Sequence, residues 1–407
     1  MKCGLLGRKL GHSYSPQIHA LLGNYSYQLF EKEPEEIGDF LKNGDFTGLN
    51  VTIPYKKEVI PFLDELSPAA ARLGAVNTIV RRDGKLIGHN TDYFGFRRLV
   101  QESGLQVAGK KVLVLGSGGA SSTAVAVLQE LGAKVTVISR SGENNYENLD
   151  RHADAAVIAN TTPVGMYPNT GKSALSLDGF PRLEGVLDAV YNPARTQILL
   201  DAERRGLAAV NGLWMLVAQA KESAEWFTGE EIPDSRIAKI HHALRLQMEN
   251  IILIGMPGCG KTAVGQQLAQ KLGKKFVDAD ESLEARVCRK ITDIIPNDGE
   301  AAFREMESET LAELGKQSGL VIATGGGCVT QPQNYPLLHQ NGTIFWLKRE
   351  LDKLPTDGRP LSQKGTLGQM YEARMPLYLR FADAAISNDG SIAETASAIC
   401  RKLEETT

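Results

Sequence analysis

The eight residues Gly255-Met-Pro-Gly-Cys-Gly-Lys261-Thr262 fit the pattern GxxxxGK[ST] in full, and they stand between an apolar run, NIILI, and a helical pattern, AVGQQLAQKL. A glycine-rich turn between a buried strand and a helix start is the setting in which backbone N–H groups converge on phosphate oxygens. There Lys261 supplies a positive charge and the Thr262 hydroxyl can bind Mg²⁺, while Gly258 and Gly260 keep the loop backbone open to a nucleotide. Cys259 reads as a small loop filler. The motif requires strand, loop and helix in a parallel α/β layer, which rules out an all-β or all-helical second half.

The same motif marks a join. A chain of 407 residues corresponds to roughly two to three domains at about 150 residues each. From Met248 the stretch MENIILIGMPGCGKT has the form of a fresh N-terminus, so the chain reads as two proteins joined head to tail. The stretch before it, DSRIAKIHHALRLQ, has Asp234 or Ser235 as a possible N-cap and then Ile237, Ile240, Leu244 and Leu246 at helical spacing. A helix therefore feeds almost directly into a strand, with no Pro/Gly/Ser linker.

Short apolar runs alternate with helix-length segments in the first half: KCGLLG, a helix near Pro16 to Leu22, YQLFE, a helix near Ile37 to Lys42, then GLNVTIP. Further strands are expected at Lys111 to Gly116, Lys134 to Ser139 and Ala155 to Asn160, forming a second, doubly wound layer. With 42% hydrophobic residues and 23% charged, the chain can bury sizeable cores. Its 45 Lys and Arg against 48 Asp and Glu give a net charge of −3, which provides no global field for nucleic acid or anionic membrane. Five cysteines without a CxxC pair fit a reducing cytoplasm better than a disulfide framework. The start, MKCGLLGRKLGHS, lacks a long apolar h-region, and no apolar run is long enough to span a bilayer. The expectation is a cytoplasmic protein with small-molecule partners, without nucleic acid or membrane; the sequence sets no oligomeric state.

Past the loop, KKFVDADESLE carries Asp278 and Asp280 at the end of an expected strand. Two residues apart on a strand share a face, so both carboxylates can point into the nucleotide cleft. One can serve the metal through water and the other orient or deprotonate an acceptor hydroxyl; a helix N-cap role for Asp280 is the alternative. There follow Arg304 and Glu307 in GEAAFREMESE, Gly325-Gly326-Gly327 after LVIAT, Arg359 in GRPLS and Arg374 in EARMPLY. This ordered pattern resembles shikimate kinase over essentially all of residues 248 to 407. The resemblance implies that Arg304 and Arg374 clamp the shikimate carboxylate and that Gly326 and Gly327 admit the substrate ring. It further implies Asp280 as base, Asp278 and Thr262 for Mg²⁺, and Arg359 in a lid over the transferring phosphoryl group. Before Arg359 the segment LKRELDKLPTDG is short and has Lys353, but no arginine where the family stacks one on adenine.

In the first half, Gly116-Ser-Gly118-Gly119-Ala120-Ser121 follows KVLVL and precedes a helical pattern, so it reads as a dinucleotide turn with its third glycine replaced by Ser121. About 20 residues on, the next strand ends in Ser139-Arg140-Ser141 instead of an acidic residue. Arg140 can bind a 2′-phosphate, which points to NADP; an exposed strand-end arginine is the alternative. Ahead of the turn stand Ser13 and Ser15 (HSYSP), Asn50, Thr52 and Lys56 (LNVTIPYKKE), Asn77 (AVNT) and Asn90 with Asp92 (HNTD). After it come NTTPVGM, VYNP with Tyr191, and NGLWMLVAQA with Gly212, Met215 and Gln219.

As a set these resemble shikimate dehydrogenase over about residues 1 to 247. The resemblance implies that Ser13 and Ser15 bind the substrate carboxylate, that Asn50, Thr52, Asn77, Asp92 and Gln219 bind its ring hydroxyls, and that Tyr191 joins the substrate site. Gly212 would border the cofactor. Reduction of a ketone builds negative charge on oxygen, so a donor must stand beside it; Lys56 can fill that role with Asp92 holding it. Where the family commonly has Asn before the phosphate-binding arginine and a basic residue four on, this chain has Ser139 and Asn144.

The expected architecture is α/β throughout: a substrate domain over 1–95, completed by about 225–247, a Rossmann-like NADP domain over 96–224, and a P-loop kinase domain with a parallel sheet over 248–407. The expected function is NADPH-dependent reduction of 3-dehydroshikimate followed by ATP- and Mg²⁺-dependent phosphorylation of shikimate. The alternatives are a first half that prefers quinate or NAD, and a catalytically retired metabolite sensor.

Overall fold

The computed structural model describes residues 1–11, 13–354 and 367–405, in two compact units. The first comprises Met1–Met166, Lys172–Tyr191 and Ile198–Ala243, and carries two sheets. Strands β1 (Lys2–Gly7), β2 (Ser26–Glu31), β3 (Gly48–Val51), β4 (Glu65–Leu66), β5 (Thr78–Arg82) and β6 (Lys85–His89) form a sheet of order β2-β1-β3-β5-β6-β4. In it β1 runs parallel to β2 and β3, while β5 is antiparallel to both β3 and β6. Leu6, Leu41, Leu49 and Ile79 fill its core.

The second sheet contains β7 (Lys111–Leu115), β8 (Lys134–Ile138), β9 (Val157–Asn160), β10 (Gly185–Asp188) and β11 (Ala208–Val210), all parallel, in the order β11-β10-β9-β7-β8. Winding reverses between β7 and β9, and a crevice at the carboxyl ends of such a pair is where open α/β sheets take ligands. The apolar run KVLVL is buried from Val112 to Leu115, as expected of a strand covered on both faces.

The second unit comprises Tyr167–Gly171, Asn192–Gln197 and Leu244–Thr407. Its strands β12 (Asn250–Ile254), β13 (Lys275–Asp278), β14 (Leu320–Ala323), β15 (Gly342–Lys348) and β16 (Ala384–Ser387) are parallel in the order β13-β14-β12-β15-β16. Strand β12 lies between β14 and β15, so the loop that leaves it opens at the point where winding reverses. Only Glu249 separates the helix Ser235–Met248 from β12, as its spacing and the absence of a linker predict.

Most element ends fall within a residue or two of the expected ones; β9 starts at Val157 instead of Ala155. One difference bears on chemistry. Asp278 closes β13 and a helix, Ala279–Val287, begins at the next residue, so Asp278 and Asp280 do not alternate on one strand. Asp278 Oδ1 accepts the backbone N–H of Asp280 at 3.0 Å and of Glu281 at 3.4 Å, so the cap is Asp278 and not Asp280. The two carboxylates meet through a helix turn. No helix among the described residues is long and apolar enough to cross a membrane.

Candidate active sites

In the second unit a cavity of about 540 Å³ is lined by Gly258, Gly260, Lys261, Thr262, Asp278, Asp280, Arg304, Gly326, Gly327 and Arg374. These are all the residues expected there except Arg359, which lies outside the described residues. The phosphate loop has its backbone in left-handed conformations at Gly258 (φ 81°) and Gly260 (φ 97°), which glycine reaches without Cβ strain. Lys261 is buried, and its Nζ donates to the carbonyls of Gly255 at 2.9 Å and Met256 at 3.1 Å. The ammonium is thus held at the loop that has to carry phosphate charge. Thr262 Oγ1 donates to Asp278 Oδ2 at 2.9 Å, placing two hard oxygen donors side by side as a small divalent cation requires.

Asp280 lines the same cavity. Burial pushes its pKa up and the neighbouring Asp278 charge adds to this, against the pull of Lys261 and Arg304. Arg304 is fixed by two carboxylates, Nη1 to Glu307 Oε2 at 2.8 Å and Nη2 to Glu300 Oε1 at 3.0 Å. The Arg304 and Glu307 side chains are 9% and 3% exposed, so this pair is set by geometry and not by surface attraction. A Cβ at Gly327 would stand 2.3 Å from Arg304 Nη2, and one at Gly326 would stand 2.7 Å from Pro257 Cδ. Both glycines are therefore demanded by close approach. The Gly326 carbonyl accepts from Tyr378 OH at 2.5 Å and from Arg374 Nη1 at 3.2 Å. Glu307 and Tyr378 complete the arrangement, although the sequence assigns neither a role; the spacing Arg304-x-x-Glu307 is a usable signal for the first.

In the first unit Lys56 Nζ donates to Asp92 Oδ2 at 2.5 Å, the side chains being 26% and 13% exposed. Asp92 opens the helix Asp92–Glu102, where the helix dipole favours a carboxylate. Around this pair the expected polar residues form a hydrogen-bonded frame. Asn50 Nδ2 donates to Ser223 Oγ at 2.8 Å, Thr78 Oγ1 at 3.2 Å and the Asn77 carbonyl at 3.4 Å. Asn77 Nδ2 donates to Thr91 Oγ1 at 3.0 Å and to Gln219 Oε1 at 3.4 Å. Asn50, Asn77 and Gln219 are thus brought together, by way of Thr78, Thr91 and Ser223. Nothing in the sequence singles out those three hydroxyls, since Ser223 meets Asn50 across 173 positions.

Ser13 Oγ accepts the Ser15 N–H at 3.2 Å, and between them Tyr14 meets the edge of Tyr191 with centroids 6.2 Å apart. Tyr191 thereby stands beside the serine turn, its phenol pKa pushed up by burial. Thr52 N–H donates to the Leu6 carbonyl at 3.0 Å, at the carboxyl end of β3.

The dinucleotide turn leaves β7 with Gly116 at φ 106°, where a Cβ would press on Thr162 Cγ2 at 3.1 Å and Thr161 Oγ1 at 3.2 Å. Gly118 caps the helix Gly119–Glu130, in which Ala120 sits in the first turn. Cβ atoms at Gly118 or Gly119 would meet nothing within 4 Å, so this face is open for a pyrophosphate at a helix start. Arg140 is exposed just past β8, while the Asn144 Oδ1 lies 3.0 Å from His152 Nε2. Gly212 caps the helix Leu213–Thr228, and a Cβ there would fall 2.1 Å from the Ala189 carbonyl oxygen. Its lack of a side chain is a requirement of chain packing.

Family comparison agrees with this geometry. The family model for the shikimate dehydrogenase substrate binding domain matches residues 5–79, and that for shikimate kinase matches residues 257–404. The NADP(+)-dependent shikimate dehydrogenase of Clostridium perfringens (strain SM101 / Type A) is 37% identical over 264 residues, covering 60% of this chain and 97% of its own. The crystal structure of shikimate dehydrogenase 1 from Peptoclostridium difficile superposes with a TM-score of 0.55 at 38% identity, covering 60% of this chain and 98% of its own. That of shikimate 5-dehydrogenase from Thermus thermophilus, in complex with NADP(H) and shikimate, gives 0.54 at 30% identity over 60% of this chain and 99% of its own. The chain belongs to the shikimate dehydrogenase family and carries a shikimate kinase domain at its C-terminal end, which makes it a bifunctional shikimate-pathway enzyme, oxidoreductase and kinase.

Proposed function

We propose that residues 1–247 reduce 3-dehydroshikimate to shikimate with NADPH and that residues 248–407 phosphorylate the same shikimate from ATP. The observation that carries this reading is the cavity in which the phosphate loop faces Arg304 and Arg374: two guanidiniums suit a small carboxylate acceptor. A carboxylate-bearing alcohol is what the other half would deliver.

When bound, NADPH supplies the hydride to the substrate carbonyl carbon. Lys56 gives the proton to the carbonyl oxygen as charge grows there, and recovers it from solvent; Asp92 keeps the ammonium aimed at that oxygen. Ser13 and Ser15 would hold the carboxylate, with Asn50, Thr52, Asn77, Gln219 and Tyr191 around the ring. Gly116, Gly118, Gly119 and Ala120 would hold the pyrophosphate. Arg140, exposed at the end of β8, supports NADP over NAD.

In the kinase half ATP supplies the γ-phosphoryl group and Mg²⁺, when bound, neutralises charge on it. Thr262 and Asp278 fit that cation as adjoining oxygen donors. Asp280 takes the proton of the attacking hydroxyl, Lys261 offsets the phosphate charge, and Arg304 with Arg374 orient the acceptor.

The test gives purified protein shikimate or quinate with NADP or NAD, and separately shikimate with ATP and Mg²⁺. The expected result is fastest oxidation of shikimate with NADP, and phosphorylation that Lys261→Met abolishes while leaving oxidation intact. Faster turnover of quinate, or preference for NAD that Arg140→Ala does not alter, would overturn the dehydrogenase assignment; silence in both assays would favour a retired sensor.

A further inference from the structure

Behind the Ser13–Ser15 turn lies a group of side chains that the reaction does not use. His19, on the helix Ser15–Leu22, is fully buried. Its Nδ1 stands 2.6 Å from the Tyr25 hydroxyl, and its Nε2 is buried without a hydrogen bond. The ring lies flat on Tyr27, with centroids 4.0 Å apart and planes 9° from parallel. Tyr27 in turn donates its phenol proton to Asn50 Oδ1 at 2.7 Å, and the Ser15 side chain interacts with the same phenol.

An unbonded buried ring nitrogen is unfavourable, and a phenylalanine would fill the space without it. The imidazole is justified by what it touches: Nδ1 satisfies Tyr25, the ring face pins Tyr27 in one orientation, and the Asn50 side chain bears on the same ring. Burial takes the His19 pKa down to about 3, partly offset by the Asn50 side chain, so the plate stays neutral and draws in no counter-charge. Pinning Tyr27 has a consequence further on. Asn50 donates its amide N–H groups to Ser223 and Thr78 and accepts the Tyr27 phenol on its carbonyl oxygen, so the phenol is the bond that holds the acceptor side of this planar amide.

We propose that the stacked His19–Tyr27 pair is a positioning device of the dehydrogenase substrate site, in which the Tyr27 phenol sets Asn50 and Ser15 for the substrate's ring hydroxyl and carboxylate. This rests on the reading of that site as one for shikimate and 3-dehydroshikimate. Neither ring touches the reacting atoms, so the device acts on binding of the acid and not on hydride transfer.

The experiment uses the full chain and NADP-linked oxidation of shikimate, with the kinase rate of the same preparation as a folding control. Tyr27→Phe keeps the ring and the stack and removes only the hydroxyl. It should raise KM for shikimate about tenfold, leaving kcat within about twofold and KM for NADP unchanged. His19→Ala should shift KM in the same direction, and the double variant His19→Phe with Tyr25→Phe, which restores a flat neutral plate, should bring it back toward the parent value. A KM within about twofold of the parent in Tyr27→Phe, or a fall in kcat without a change in KM, would overturn the proposal. A parent chain that phosphorylates shikimate but does not oxidise it with NADP would overturn the reading of the site, and the proposal with it.

Discussion

Replacing Gly327 by alanine should damage the kinase and spare the dehydrogenase in one molecule. The backbone at 327, φ −104° and ψ 0°, is open to alanine, so no conformational strain confuses the outcome. The added Cβ would stand 2.3 Å from Arg304 Nη2 and 2.6 Å from both Cζ and Nη1, whereas ordinary contact begins at 3.4 Å. The guanidinium must therefore retreat by 1.1 Å, the difference between 3.4 and 2.3 Å. Its present place is fixed by Glu307 at 2.8 Å and Glu300 at 3.0 Å, so retreat also loosens a buried pair, at a cost of about 1–3 kcal/mol. A 1 Å misplacement of a group that positions a reactant costs on the order of 10²-fold in rate. The assay compares ATP-dependent phosphorylation with NADP-linked oxidation of shikimate in one preparation. Phosphorylation kcat/KM should fall about 10²-fold, with oxidation unchanged. A phosphorylation kcat/KM within about twofold of the parent, at unchanged thermal stability, would refute the placement of Arg304 as a clamp.

Three further outcomes follow from the geometry. Lys56→Ala should lower dehydrogenase kcat by about 10²–10⁴-fold and leave the kinase untouched; turnover near the parent value would mean that Lys56 is only a surface charge. Asp280 must be ionised to act as a base, and burial raises its pKa above the ordinary aspartate value. Because the folded state holds this proton where the unfolded chain has lost it, stability falls as pH rises between the two pKa values, and Asp280→Asn should be the more stable protein above that window but not below it. Equal melting of the two proteins at neutral pH would contradict this. Ser223→Ala removes bonds to Asn50, Thr78 and Thr91; it should destabilise by about 1–3 kcal/mol and lower the melting temperature by roughly 2–10 °C, measured by calorimetry.

What is legible in the sequence is what local backbone chemistry dictates. A phosphate loop needs its glycines, lysine and threonine in a row, so Gly258 to Thr262 can be read directly, as can the turn at Gly116 to Ala120. Asp278 and Asp280 stand out as a pair, but extending the strand period two residues past its end misstates their relation. The acidic run Asp278-Ala-Asp280-Glu281 carries a helix-start signal, an N-cap with acidic residues in the first turn. The resemblance turns Asn50 toward the substrate, but the frame that holds its amide closes over residues far away in the chain and leaves no local trace. Ser223, Thr91 and Thr78 escape notice because isolated hydroxyls have no local pattern, and the bonds that give them meaning close over long stretches of chain. Gly212 reads as a cofactor residue, yet what compels glycine there is the backbone of Ala189, a constraint with no trace in the neighbouring sequence.

The most direct test gives the full-length protein 3-dehydroshikimate, NADPH, ATP and Mg²⁺ together, following NADPH loss while product is identified by mass. The account predicts NADPH loss matched mole for mole by shikimate 3-phosphate. NADPH loss with unphosphorylated shikimate accumulating, or no loss with either NADPH or NADH, would contradict it.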